Sequence, residues 1–127
     1  MNGNRLKDSG NFIVRYAKSF CHACSGIAYG IKYEHNIIIM IIASIVVISM
    51  GLYYNITSYE WLFILFAISS VTATEMINSS IEATIDLITH EIHPLAKIAK
   101  DTASAASLIF CTVSFIGGCI IFIPKIF

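Results

Sequence analysis

The chain has 127 residues, a 57% hydrophobic share, a mean hydropathy of +0.77, and eight Lys+Arg balanced by eight Asp+Glu. Only 13% of residues are charged, against about a quarter in soluble domains, which excludes a disordered tail, a collagen-like chain and a basic nucleic-acid binder. One domain of this size has too little interior for so many apolar side chains, so the composition points to an integral membrane protein.

Residues from about Asn11 to Tyr33 mix Phe12, Ile13, Tyr16, Phe20, Ile27 and Ile31 with Arg15, Lys18 and Lys32. That pattern predicts an amphipathic helix lying on a membrane surface. Gly26 and Gly30 form a G-x-x-x-G inside it, which suits either a close helix contact or a flexible bend into the membrane. Cys21-His-Ala-Cys24 has the spacing of a zinc or redox pair, but no second C-x-x-C follows. Small, semi-apolar packing residues are the expectation for all four cysteines.

The first strongly apolar stretch starts only at Ile37, deeper in the chain than the core of a cleavable signal. Residues 37–54 and 102–123 carry no charge, and residues 61–81 are apolar apart from Glu75 and a few small polar groups. Each can cross about 30 Å of hydrocarbon at about 1.5 Å per residue, which predicts three transmembrane helices. Arg5, Lys7, Arg15, Lys18 and Lys32 precede the first span, and Lys97 and Lys100 lie between the second and third. Only Lys125 falls on the other side, so the positive-inside rule puts the N-terminus in the cytoplasm and the C-terminus outside. Tyr53, Tyr54, Tyr59 and Trp61 cluster at the outer turn, where an aromatic belt belongs.

The segment EMINSSIEATID, Glu75 to Asp86, carries the chemistry. At about 100° per residue, Glu75, Asn78, Glu82 and Asp86 share a stripe about 80° wide, with Ser79 at its edge. With Trp61 at the outer interface, Glu75 lies about 21 Å deep, Glu82 about 32 Å and Asp86 about 38 Å, so the stripe climbs from lipid to water. A carboxylate in the membrane is costly and needs a partner or a purpose. A polar helix–helix contact explains Asn78 and Ser79 but accounts poorly for Glu75 and Glu82 together. A proton or cation pathway would need acidic groups further across, and the first and third spans carry none. The cytoplasmic interface is instead where a lipid hydroxyl meets a water-soluble donor. A carboxylate at hydroxyl depth serves as general base, and carboxylates nearer water suit Mg²⁺. Lys97, Lys100 and Asp101 open the next helix, where lysines can neutralise a transferring phosphate. No P-loop, Gly-rich kinase loop or DFG set occurs, so a kinase here has another architecture.

EMINSSIEATID followed by HPLAKIAKDTASA, His93 to Ala105, resembles the small prokaryotic diacylglycerol kinase/undecaprenol kinase family, from about Arg15 to Phe122. The resemblance implies an all-α integral membrane lipid-kinase domain over residues 1–127, with a surface helix and three membrane helices. The implied reaction moves the γ-phosphate of ATP, with Mg²⁺, to a membrane lipid alcohol. Glu75 matches the family's catalytic base, beside the lipid substrate with Ser79. Glu82 matches a metal-binding glutamate, and Glu34 fits the position of its metal partner. Asn78, Asp86, Lys100 and Asp101 match the nucleotide region, as do Arg15 and Lys18 on the surface helix. The stretches Glu34-His35-Asn36 and HPLAKIAKD look more like the undecaprenol kinases of Gram-positive type, which favours undecaprenol over diacylglycerol as acceptor. A non-catalytic membrane assembly protein is the remaining alternative. The family is trimeric with sites shared between subunits, so a homotrimer in the bacterial cytoplasmic membrane is expected. Because lipid cannot solvate Glu75, the stripe is expected to need a second subunit to cover it, the first and third spans being generic apolar surfaces with few polar groups at that depth.

Overall fold

The computed structural model describes residues 12–89, 91 and 93–127, all of whose regular structure is helical. Helix α1 runs Phe12–Tyr33, α2 His35–Tyr53, α3 Ser58–Ile88 and α4 Pro94–Ile126. Two compact units result, Met1–Glu34 and His35–Phe127. Arg5, Lys7 and the expected start of the first helix at Asn11 lie outside the described residues.

In the first unit, α1 is continuous through both Gly26 and Gly30, and a Cβ added at Gly26 would meet nothing. Phe12 stacks obliquely on Tyr16 and Tyr29 on Tyr33, each at 4.7 Å between ring centres. These are the i,i+4 neighbours of a helix surface. Glu34 follows the last turn and donates its backbone N–H to the Gly30 carbonyl. Cys21 and Cys24 are exposed free thiols, not the packed residues the sequence suggested, as nearly every residue of α1 is exposed.

In the second unit α2, α3 and α4 are each long and apolar enough to cross a membrane. Helices α3 and α4 outrun the expected spans of 61–81 and 102–123. An apolar run marks the hydrocarbon slab, whereas a helix ends where its backbone is capped. Helix α3 starts at a capping box, in which Thr57 Oγ1 accepts from Glu60 N–H and Glu60 accepts from Thr57 N–H. Helix α4 starts with Pro94 at its first turn and His93 Nδ1 accepting from Leu95 N–H at 3.2 Å. The tight turn between α2 and α3 passes through Asn55 at φ 47°, a left-handed conformation that Asn tolerates better than most residues.

Helix α3 is central: α2 and α4 each pack along it. Ile56, Ile64, Ile121 and Phe122 form the core, with Trp61, Phe63, Met50 and Tyr54 against it. All of this lies at the end where α2 turns into α3. There a Cβ on Gly51 would come within 2.9 Å of the Trp61 ring, and one on Gly117 would overlap the Phe63 ring. The Lys125–Glu60 ion pair, at 3.1 Å, ties the last turn of α4 to the first turn of α3. Leu62, Phe66, Ile109, Ile116 and Ile120 are exposed, the arrangement of helices whose solvent is lipid.

Candidate active site

From that core onward the three helices line an open cavity of about 650 Å³. Helix α2 lines it with Asn36, Met40, Ser44 and Val47, α3 with Ile64, Ile68, Thr72, Glu75, Asn78 and Glu82, and α4 with Ser104, Ser107, Cys111, Ser114 and Gly118. Because α3 runs from the core end outward, its apolar members mark the deep end and Glu75, Asn78 and Glu82 the other.

Glu75 is 6% exposed and Asn78 7%, which makes them two of the few buried polar residues among those described. Asn36 Nδ2 donates to Glu75 Oε1 at 2.5 Å. One turn along, Asn78 Nδ2 donates to Glu82 Oε1 at 3.1 Å, and Ser104 Oγ donates to Asn78 Oδ1 at 3.3 Å. Helices α2 and α4 therefore each supply one partner to the polar residues of α3, and the buried carboxylate has the partner that burial demands. Beyond the cavity, Lys100 bridges to Asp86 across the two helices, and Lys97 pairs with Asp101 one turn apart at 2.8 Å. An ammonium has three donors, so both lysines keep N–H groups beyond these pairs.

The residues singled out in the sequence separate accordingly. Glu75, Asn78 and Glu82 line one cavity, and Asp86, Lys100 and Asp101 form a charged group just past it. Ser79 is half-buried and stands off the cavity wall, because its place on the helix turns it past the edge of the stripe. Arg15, Lys18 and Glu34 belong to the first unit, where both basic side chains are exposed. Sequence reasoning missed Asn36, Ser104 and Ser107. It also treated α2 and α4 as poor in polar groups, which the structure corrects. The signal was present on α4: Ser104, Ser107, Cys111 and Ser114 recur every three or four residues, the period of one helix face. Nor does Glu75 need a second subunit to leave lipid, since the fold of one chain already buries it.

This segment order and this stripe have known counterparts. The family profile described as prokaryotic diacylglycerol kinase matches residues 21–122. The chain belongs to the prokaryotic diacylglycerol kinase family. Within it, an undecaprenol kinase of Bacillus subtilis is 39% identical over 120 residues, covering 94% of this chain and 98% of the relative. A diacylglycerol kinase of Escherichia coli K12 is 31% identical over 80 residues, 63% of this chain and 66% of the relative. One from Synechocystis is 29% identical over 108 residues, 84% of this chain and 62% of the relative. As a family member, the chain is a membrane lipid kinase, and the cavity carrying Glu75 is its candidate active site.

Proposed function

We propose that the protein transfers the γ-phosphate of ATP to the hydroxyl of a membrane lipid alcohol, undecaprenol in preference to diacylglycerol. The observation that carries this reading is Glu75, a buried carboxylate fixed by Asn36 where an apolar cavity meets a polar rim. A lipid tail suits the apolar wall, and its hydroxyl then meets Glu75. Glu75 accepts the hydroxyl proton, the lipid oxygen attacks the γ-phosphorus, the bond to the β-phosphate oxygen breaks, and ADP leaves. Asn36 holds the carboxylate in place through that exchange. The preference for undecaprenol follows the Bacillus subtilis relative, which matches over nearly its whole length.

The donor set suits Mg²⁺. Glu82 has hard carboxylate oxygens, and only Oε1 is occupied, by Asn78. No group of three His, Cys, Asp or Glu able to hold a metal occurs among the described residues. Mg²⁺ takes one or two carboxylates and completes its shell with water and phosphate oxygens. Glu82 and Glu34 are the residues that would hold it, and it would neutralise phosphate charge. By the family resemblance Lys100, Asp101, Asp86 and Asn78 belong to the nucleotide side, as do Arg15 and Lys18.

On a helical wheel Phe12, Ile13, Tyr16, Phe20, Ile27 and Ile31 span about 100° and Arg15, Lys18 and Lys32 fall opposite, which supports a helix lying on the cytoplasmic face. The excess of basic residues before α2 and in the first turns of α4 supports a cytoplasmic N-terminus in the bacterial cytoplasmic membrane. A homotrimer with sites shared between subunits completes the reading; the number three rests on the family resemblance. The test is purified protein in mixed micelles with Mg²⁺, ATP and either undecaprenol or diacylglycerol. Faster formation of undecaprenyl phosphate is expected, and no phosphorylation of any lipid alcohol would overturn the reading.

A further inference from the structure

Hydroxyls in the membrane-spanning helices mostly return to their own backbone. Ser44 Oγ donates to the Met40 carbonyl at 2.7 Å, Thr72 Oγ1 to Ile68 at 2.8 Å and Thr112 Oγ1 to Leu108 at 2.8 Å. Ser107 departs from this habit. The residue is 6% exposed, lines the cavity, and its Oγ is buried without a hydrogen-bond partner. A buried hydroxyl left unpaired is costly, and an apolar side chain of similar size would avoid the cost.

Its level in the fold suggests its partner. The Ser104–Asn78 hydrogen bond sets the register of two antiparallel helices. Three residues further along α4 and three back along α3 bring Ser107 level with Glu75. Thus one cavity level carries an acceptor on α3, the Glu75 carboxylate, and an unused donor on α4.

We propose that Ser107 binds the acceptor lipid at its reacting hydroxyl. The inference rests on the reading of Glu75 as the base that meets a lipid alcohol. An alcohol oxygen has one proton and two lone pairs. With the proton directed to Glu75 and the Ser107 O–H donated to one lone pair, the other lone pair is left to face phosphorus. Ser107 gains and loses no proton in the reaction; it fixes which way the nucleophile points.

The test compares wild type, Ser107→Ala and Ser107→Thr in mixed micelles, varying undecaprenol at saturating Mg·ATP and Mg·ATP at saturating lipid. Removing the hydroxyl is expected to lower kcat/KM for the lipid about tenfold, with KM for Mg·ATP unchanged. Threonine keeps the hydroxyl and is expected to stay within about threefold of wild type. A packing role would instead lower thermal stability in both variants and weaken both substrates alike. Wild-type kinetics in Ser107→Ala, or equal losses in Ala and Thr variants, would overturn the assignment while leaving the kinase reading intact. A wild-type protein inactive on every lipid alcohol would overturn both.

Discussion

The Asn36 side-chain amide lies 2.5 Å from Glu75, so the first turn of α2 holds the carboxylate in the middle of α3. An amide can donate to a carboxylate without quenching its charge, which keeps Glu75 able to accept a proton. Glu75→Gln is therefore expected to reduce kcat by at least about a hundredfold while nucleotide binding changes little. Asn36→Ala keeps the base but frees its orientation, and a smaller loss of about tenfold is expected. Turnover in micelles and equilibrium binding of a nucleotide analogue measure the two effects separately. Equal, small losses in both variants would assign Glu75 to helix packing.

Glu82→Gln and Glu34→Gln are expected to act on the other substrate. Each should raise the Mg²⁺ concentration needed for half-maximal rate, and excess Mg²⁺ should restore part of the activity. A Mg²⁺ titration at fixed ATP checks this. An unchanged midpoint in both variants would remove these carboxylates from the metal site.

Stability is expected to depend on the end where α2 turns into α3. Gly117→Val drives a branched side chain into the Phe63 ring and should cost about 1–3 kcal/mol or more. Thr57→Ala removes the cap of α3, at about 1 kcal/mol. Lys125→Ala breaks a partly exposed ion pair and should cost least. Thermal unfolding in one detergent should rank the three variants in that order.

Topology is checked by single cysteines placed at Ser9 and at Lys125 in a chain without its native cysteines. Ser9 lies outside the described residues, and Lys125 is in the last turn of α4. In intact cells an impermeant thiol reagent should label position 125 and spare position 9. Labelling of both would put the candidate site on the wrong side for cytoplasmic ATP.

Composite sites are checked by mixing inactive subunits. Glu75→Gln and Glu34→Gln chains, co-assembled, should regain part of the wild-type rate if base and metal ligand come from different chains. Hetero-oligomers that form and stay inactive would confine each site to one subunit.

What the sequence made legible was whatever one helix decides alone. Glu75, Asn78 and Glu82 share a face because the helical period is fixed, and α3 carries them as that period requires. Partners on other helices depend on which faces meet, and α2 and α4 are apolar nearly all round, so hydropathy does not mark the inward side. Asn36 was hidden for that reason, next to the glutamate that attracted notice. The α4 serines were overlooked because small hydroxyl residues in a membrane span usually satisfy themselves on their own backbone, as Thr112 does. Helix ends were misjudged because hydropathy measures the slab and not the cap.

The segregation along α3 has a consequence for how the molecule tolerates change. The capping box, the Phe63–Gly117 notch and the Lys125 bridge fasten one end, while the network around Glu75 occupies the other. Like tongs joined at the hinge, the three helices keep their cluster of large buried apolar side chains at one end. Evolution can therefore retune the tips for a new lipid, one side chain at a time, without renegotiating the joint.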